Sequence, residues 1–184
     1  MYYLLSISDS YPEILWFKYD RKVSPNHLKF KRGQTYSEES VKPVFRLNKK
    51  INNKKIAQFD WFWSDGPNFV SPKLANYFQN HMSDDIQLID ADVWINDVLL
   101  QDYKIPNVLH SIHCIDLTKS DYELLMDDEP DGPKKFNKYI LTNASLGMHK
   151  ICRASEQLTT IIVQESFVRD CKDLKVNGLD FLPV

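Results

Sequence analysis

Two stretches of this chain repeat one order of local signals, and that repetition constrains the fold more than any other feature. In the first, an apolar pair at 69–70 precedes Ser71 and Pro72, residue types favoured at the N-cap and the first position of a helix. In the second, the apolar strand 161–163 leads into a helix that opens at 164–166. Each helix is followed by a turn and an apolar strand. Two related strand–helix–strand units with extra strands around them predict an α+β fold, in which a few helices pack on a mixed β-sheet.

Apolar spacing indicates which face of each helix is buried. Leu74, Tyr77 and Phe78 stand at i, i+3 and i+4, which places them on one side of a helix over 73–81. The second helix carries an equivalent inner face, formed by Phe167, Val168 and Cys171.

The other elements follow from alternating or β-branched runs between chain breakers. Such runs predict strands at 2–7, 44–47, 86–95, 108–117, 137–141, 147–153 and 179–184. Residues 120–126 predict a short helix or turn. The stretch 127–133, with two prolines, a glycine and four carboxylates, predicts a loop. Because 179–184 alternates apolar residues, where polar tails are usual, we expect it to be ordered in or beside the sheet.

The length and the cysteine content fit one domain from a reducing compartment. The 184 residues are 43% hydrophobic, and we interpret 1–184 as a single domain with an N-terminal part at 1–60 and a second part at 61–184. No two cysteines form a CxxC pair, so buried free thiols are expected rather than disulfides or a zinc site. The three are Cys114, Cys152 and Cys171. With no basic leader and no membrane-length apolar run, the protein is expected in the cytoplasm and not at a membrane.

Candidates for catalysis or metal binding are few. The densest group is His110, His113 and Asp116. On a strand, residues three apart point to opposite faces, so the two histidines should not converge. No GxGxxG, phosphate loop or nucleophile elbow occurs. The sequence therefore predicts no catalytic residue, no cofactor and no bound metal. A small enzyme with a site around His110, His113 and Asp116 stays an alternative, as does a structural adaptor.

Uneven charge and two tryptophans point to protein binding instead. Segment 18–59 holds 12 Lys or Arg against 3 Asp or Glu, whereas 84–132 holds 2 against 13. Such asymmetry can mark an interaction surface. A net charge of −2 argues against nucleic acid as the partner of the basic segment. Trp61 and Trp63 are amphipathic side chains that interfaces favour. The candidate partner-binding residues are Asp84, Asp85, Asp127, Asp128, Glu129, Asp131, Trp61 and Trp63.

Several short motifs, taken in order, resemble a known family. They are a Tyr-rich start at 2–3, the helix entry at 69–74, Ile115-Asp116-Leu117 followed by Ser120, the strand 161–163 with Phe167, and the closing stretch Asn177-Gly178-Leu179-Asp180-Phe181-Leu182-Pro183-Val184. Together they resemble the immunity protein eleven family of bacterial polymorphic-toxin systems, well from about 70 onward and poorly over the first 60 residues. Gln164 departs from the pattern, because the family usually has Ser there.

The resemblance implies a binding protein rather than an enzyme. It implies a cytoplasmic antitoxin that neutralises a cognate secreted toxin, uses no cofactor and has no catalytic residues. Because many such toxins are basic nucleases, the acidic segment could face a basic partner.

Overall fold

The computed structural model describes residues 1–37, 41–126, 129, 132, 134–142 and 146–184. Within them the chain forms four β-sheets and three α-helices, which confirms the predicted α+β class. The helices are α1 (Asn53–Ile56), α2 (Pro72–His81) and α3 (Glu165–Asp173). The strands are β1 (Tyr2–Ile7), β2 (Lys18–Tyr19), β3 (Val44–Leu47), β4 (Trp61–Phe62), β5 (Phe69–Val70), β6 (Ile86–Asp90), β7 (Asp92–Ile95), β8 (Val98–Leu100), β9 (Lys104–Val108), β10 (Ser111–Ile112), β11 (Asp121–Leu124), β12 (Lys134–Lys138), β13 (Ile151–Ala154), β14 (Gln157–Gln164) and β15 (Leu179–Pro183). Short 3-10 helices lie at Glu13–Leu15 and His27–Lys31.

The sheets differ in size and direction. The largest has the order β10-β13-β14-β1-β15 and is antiparallel except for the β10–β13 pair. A second sheet, β4-β5-β9-β6, is antiparallel. A third, β2-β3-β7-β8, contains the parallel pair β3–β7. Strands β11 and β12 form a separate antiparallel hairpin.

The two strand–helix–strand units share one topology. Strands β5 and β6 both pair antiparallel with β9, which lies between them. Strands β14 and β15 both pair antiparallel with β1, which lies between those two. In each unit the flanking strands are therefore parallel to each other, split by a third strand, and joined through a helix. The helices of the two units meet where Phe78 and Phe167 stack with ring centroids 6.0 Å apart.

The helix starts differ as their capping residues predict. Ser71 Oγ accepts a hydrogen bond from the backbone N–H of Leu74 at 3.3 Å, and Pro72 occupies the first turn of α2. At the start of α3, Gln164 makes no capping hydrogen bond through its side chain to the described residues. The predicted inner faces are buried in both helices.

Three clusters of buried apolar side chains form the core. An aromatic cluster around Phe17, Phe45, Phe62 and Phe69 lies in the N-terminal half. A helix cluster gathers the inner faces of α2 and α3 with one face of the largest sheet. A third cluster, around Cys114, Cys152 and Ile162, covers the opposite face of that sheet. All three cysteines are buried and free, as predicted.

Several predicted elements are wrong in extent or type. The strand expected at 86–95 is two strands in different sheets, because the chain leaves the second sheet at Asp90 and enters the third at Asp92. The strand expected at 108–117 reduces to β9, which ends at Val108, and the short β10. Residues 121–124 form a strand, not a helix or turn. Strands β12 and β13 are displaced from the predicted 137–141 and 147–153.

Candidate functional site

Carboxylates of the acidic segment 84–132 spread over three sheets and serve different purposes. Asp90 pairs with Lys104, and Glu123 with Lys135 at 3.6 Å. Others are exposed and have no ion-pair partner within the described residues: Asp84, Asp97, Asp102, Asp121 and Glu129. Part of the segment's charge is therefore neutralised by lysines of the same chain.

Asp84 and Asp85 are adjacent but face different surroundings. Asp85 is buried, and its carboxylate accepts from the backbone N–H of Lys150 at 2.8 Å and from His149 Nδ1 at 2.7 Å. Asp84 is exposed. That both face a partner stays a prediction; of the two, only Asp84 presents its carboxylate to solvent.

The two candidate tryptophans lie in the interior rather than on an open surface. Trp61 is 1% exposed. Trp63 is half-buried, contacts both the aromatic cluster and the helix cluster, and donates from Nε1 to the carbonyl oxygen of Gly178 at 2.7 Å. That they anchor a partner stays a prediction, which the burial of Trp61 does not favour.

Of the predicted acidic loop, only Glu129 and Gly132 fall within the described residues; Asp127, Asp128 and Asp131 lie outside them. Glu129 is exposed. Its backbone N–H donates to the carbonyl of Met126 at 3.1 Å, and its own carbonyl accepts from Gly132 N–H at 2.8 Å. Both bonds lie between the end of β11 and the start of β12.

The hairpin formed by β11 and β12, here called the hairpin arm, is anchored at its base by aromatic stacking. Phe136 contacts Tyr122 at 5.4 Å and Tyr139 at 4.4 Å between ring centroids. Phe136 and Tyr139 pack on the third core cluster. At the far end, Leu125 and Met126 are 59% and 51% exposed. The arm therefore holds two neighbouring large apolar side chains in solvent on a base that is fixed to the core.

The alternative catalytic group does not assemble. His113 Nδ1 lies 3.1 Å from Glu156, and Asp116 binds the hydroxyl of Thr118 at 2.6 Å and the ammonium of Lys119 at 3.0 Å. These two bonds lower the pKa of Asp116 to about 2, and the bond from Thr118 has the larger effect. His110 lies elsewhere, against His149. Neither His110 nor His113 lies in a strand, and the two rings contact different residues.

His110 instead belongs to a cluster that sequence reasoning missed. Its ring stacks on His149 with centroids 3.7 Å apart, and Asp85 lies beside both. One ligand atom from each of the three lies within 4.8 Å of the others, a spacing compatible with a metal ion. His149 is 39 positions away from His110, on a stretch predicted only as a strand, so no local signal could have paired them.

The chemistry of this cluster fits hydrogen bonding better than metal ligation. His110 Nε2 donates to the carbonyl oxygen of Asp84 at 2.8 Å, and His149 Nδ1 donates to Asp85. Each of these two nitrogens would have to give up its hydrogen bond before its lone pair could bind a metal.

Asp60 brings the two helix units together through buried polar contacts. It is 5% exposed and accepts from Ser71 Oγ at 2.8 Å and from the backbone N–H of Asn177 at 3.2 Å, while Lys73 Nζ lies 2.7 Å away. Ser71 opens the first unit's helix, and Asn177 precedes the last strand of the second. The motif residues at both places are therefore used to join the fold, not to bind a ligand.

Comparison with known proteins places the chain in a family. A family model described as Immunity protein family (Imm11) matches residues 12–184. The match reaches into the first 60 residues, where the sequence motifs offered little. A search of curated proteins finds no match. Within the described residues, none of the helices is both long enough and apolar enough to cross a membrane.

Proposed function

The chain belongs to the Imm11 immunity protein family, which neutralises cognate toxins, and we propose that it binds its toxin through the hairpin arm. In this proposal, Leu125 and Met126 are the apolar anchors. Carboxylates on and beside the arm guide the approach of a basic toxin surface. By sequence these are Asp121, Glu123, Asp127, Asp128, Glu129 and Asp131. The toxin's active site would be blocked by bound protein, in the cytoplasm, with no chemical step.

The exposure of Leu125 and Met126 is the observation that carries this proposal. Large apolar side chains gain free energy when a partner removes them from water, and methionine is enriched at interfaces. Interface energy concentrates in a few such anchors. The stacked base of the arm, around Phe136, limits the ordering that binding must impose on the backbone.

Charge supports the same surface. The acidic segment holds 13 Asp or Glu against 2 Lys or Arg, and the arm's tip lies within it. A concentration of one sign steers an oppositely charged partner and raises the association rate, while charges at the rim add little to the final affinity. The arm therefore combines anchors that slow dissociation with carboxylates that speed encounter.

The competing surface is the basic N-terminal third. It has exposed apolar residues of its own, including Val23 and Leu28 at 51% and 52%. Trp61 is buried and Trp63 is half-buried, however, so neither tryptophan is an exposed anchor beside this surface. Its charge would suit an acidic toxin.

A co-expression experiment separates the two surfaces. The cognate toxin is produced in a host that it kills, together with wild type or with Leu125→Ser/Met126→Ser. We expect the double variant to bind at least roughly tenfold more weakly and to lose protection. Unfolding by urea should stay within about 0.5 kcal/mol of wild type, since both side chains are exposed.

The matched control is Val23→Ser/Leu28→Ser, which removes two equally exposed apolar side chains from the basic third. It should protect like wild type. Full protection by the arm variant, with lost protection by this control, would place the interface on the basic third and reject the proposal.

A further inference from the structure

A cavity of about 210 Å³ lies where the 3-10 helix at His27–Lys31 meets the largest sheet and the sheet β4-β5-β9-β6. Its wall includes Lys31, Trp61 from β4, Arg153 from β13 and Thr159 from β14. Thr159 is exposed and Lys31 half-buried, so the cavity reaches the surface at these residues. The described residues of the proposed toxin-binding arm contribute nothing to its lining.

Arg153 is buried in this wall, and no described carboxylate pairs with it. It is 7% exposed, and its guanidinium donates to the carbonyl oxygens of Leu158 at 2.7 Å and Phe30 at 3.0 Å. Its Nε–H has no hydrogen-bond partner among the residues that the structure describes. Burial lowers the pKa of the guanidinium to about 10. Buried charge is costly unless it is paired, so this cation is incompletely compensated.

Two further features of the wall favour negative charge. Lys31 adds a second cation, and burial, together with the nearby charges of Arg153 and Arg21, lowers its pKa. Among the described residues, no Asp or Glu lines the cavity. Two cations thus line a space that a small ligand can enter. The indole of Trp61 belongs to the same wall, but its Nε1 is buried against protein.

We propose that this cavity binds a small oxyanion, either a phosphate-type anion or a carboxylate. Both have negatively charged oxygens that pair with an ammonium or a guanidinium, and both neutralise a buried cation. Lys31 would hold the anion at the mouth, and the charge of Arg153 would attract it from the wall. The bound anion would link the 3-10 helix to β13, so it should stabilise the folded protein.

The test is unfolding of the full chain in a chloride buffer, with sodium phosphate, sodium sulfate, sodium acetate or sodium citrate added at matched ionic strength. A hundredfold excess over Kd should raise Tm by roughly 5–10 °C. Phosphate and sulfate acting alone would identify a phosphate-type ligand, and acetate or citrate acting alone would identify a carboxylate. In NMR spectra, the indole N–H signal of Trp61, assigned from its absence in Trp61→Phe, should move during titration with the active anion.

Variants decide whether the effect comes from this cavity. Lys31→Gln should weaken anion binding about tenfold or more. Arg32→Gln removes the same charge one position away, outside the cavity wall, and should bind like wild type. If no anion stabilises the wild-type protein beyond chloride, the proposal is wrong. It is equally wrong if Lys31→Gln, which should fold because Lys31 is only half-buried, keeps the full stabilisation.

Discussion

Trp63 and Gly178, which are 115 positions apart, are joined by a hydrogen bond of 2.7 Å from the indole Nε1 to the glycine carbonyl. The backbone N–H groups of Asp60 and Trp61 donate to the carbonyl of Asn177 beside it. The turn before the last strand is therefore fastened to β4, which pairs with the first strand of the first helix unit. The indole N–H of Trp63 therefore makes its hydrogen bond within the fold.

Replacing Trp63 should cost stability and not affinity. Trp63→Phe keeps an aromatic ring but leaves the Gly178 carbonyl without its donor, and we expect a loss of about 1–2 kcal/mol in the free energy of unfolding. Urea denaturation measures it. Toxin affinity of the folded variant should be unchanged. A large loss of affinity with unchanged stability would restore Trp63 as a partner anchor.

Gly178 should tolerate no side chain. Its φ is +108°, and a Cβ built there would lie 2.3 Å from the carbonyl oxygen of Trp61. Gly178→Ala should therefore cost more than about 3 kcal/mol. Gly147 is the matched control, since its φ is +63° and a Cβ at that position would meet no described atom within 4 Å. Gly147→Ala should cost only about 1 kcal/mol of backbone strain. Equal losses in urea denaturation would contradict the steric explanation.

Asp116 should contribute to acid sensitivity. The Thr118 hydroxyl and then Lys119 lower its pKa in the folded state from 3.8 to about 2. A lowered carboxyl pKa stabilises the fold above the unfolded-state value, and that contribution is lost as pH falls from about 4 to about 2. In Asp116→Asn, stability should depend less on pH in this window, as followed by urea midpoints. Asp97→Asn, which removes an exposed carboxylate that forms no ion pair with the described residues, should keep the wild-type slope.

The cluster of Asp85, His110 and His149 should hold no tightly bound metal. Its nitrogens donate hydrogen bonds to oxygens, and its rings are stacked. Metal analysis of the untagged protein should give far less than one ion per chain. Stoichiometric zinc that disappears in His110→Ala, but stays in His81→Ala on the exposed end of α2, would overturn this prediction.

Removing the acidic residues that follow Met126 in the sequence should slow toxin association. The variant replaces Asp127, Asp128, Glu129 and Asp131 with Asn or Gln. Stopped-flow rates at low salt should fall roughly tenfold, with a flatter salt dependence, because steering depends on charge near the interface. The control removes four exposed carboxylates elsewhere: Glu13, Glu165, Asp173 and Asp180. An equal effect in both variants would show that only net charge matters.

Local signals determined much of the fold. The capping pair Ser71-Pro72 and the apolar spacing after it define α2, and the apolar face around Phe167 defines α3. The alternation at the C-terminus gives β15, which is ordered at the edge of the largest sheet beside β1. These signals are short-range, so they can be read from neighbouring residues. Charged and apolar residues also alternate at 121–124, which indicates the strand found there and not the predicted helix or turn.

Only the tertiary structure decided where these elements go. Alternation continues from Ile86 to Ile95, and nothing in it shows that the chain changes sheets near Ala91. The sequence could not tell a buried Asp85 or Trp61 from an exposed Asp84, because burial depends on strands far away in the chain. The pairing of His110 with His149, the Trp63–Gly178 bond and the cavity beside Arg153 all join residues from distant segments. Such contacts depend on packing between distant segments, which local propensity does not determine.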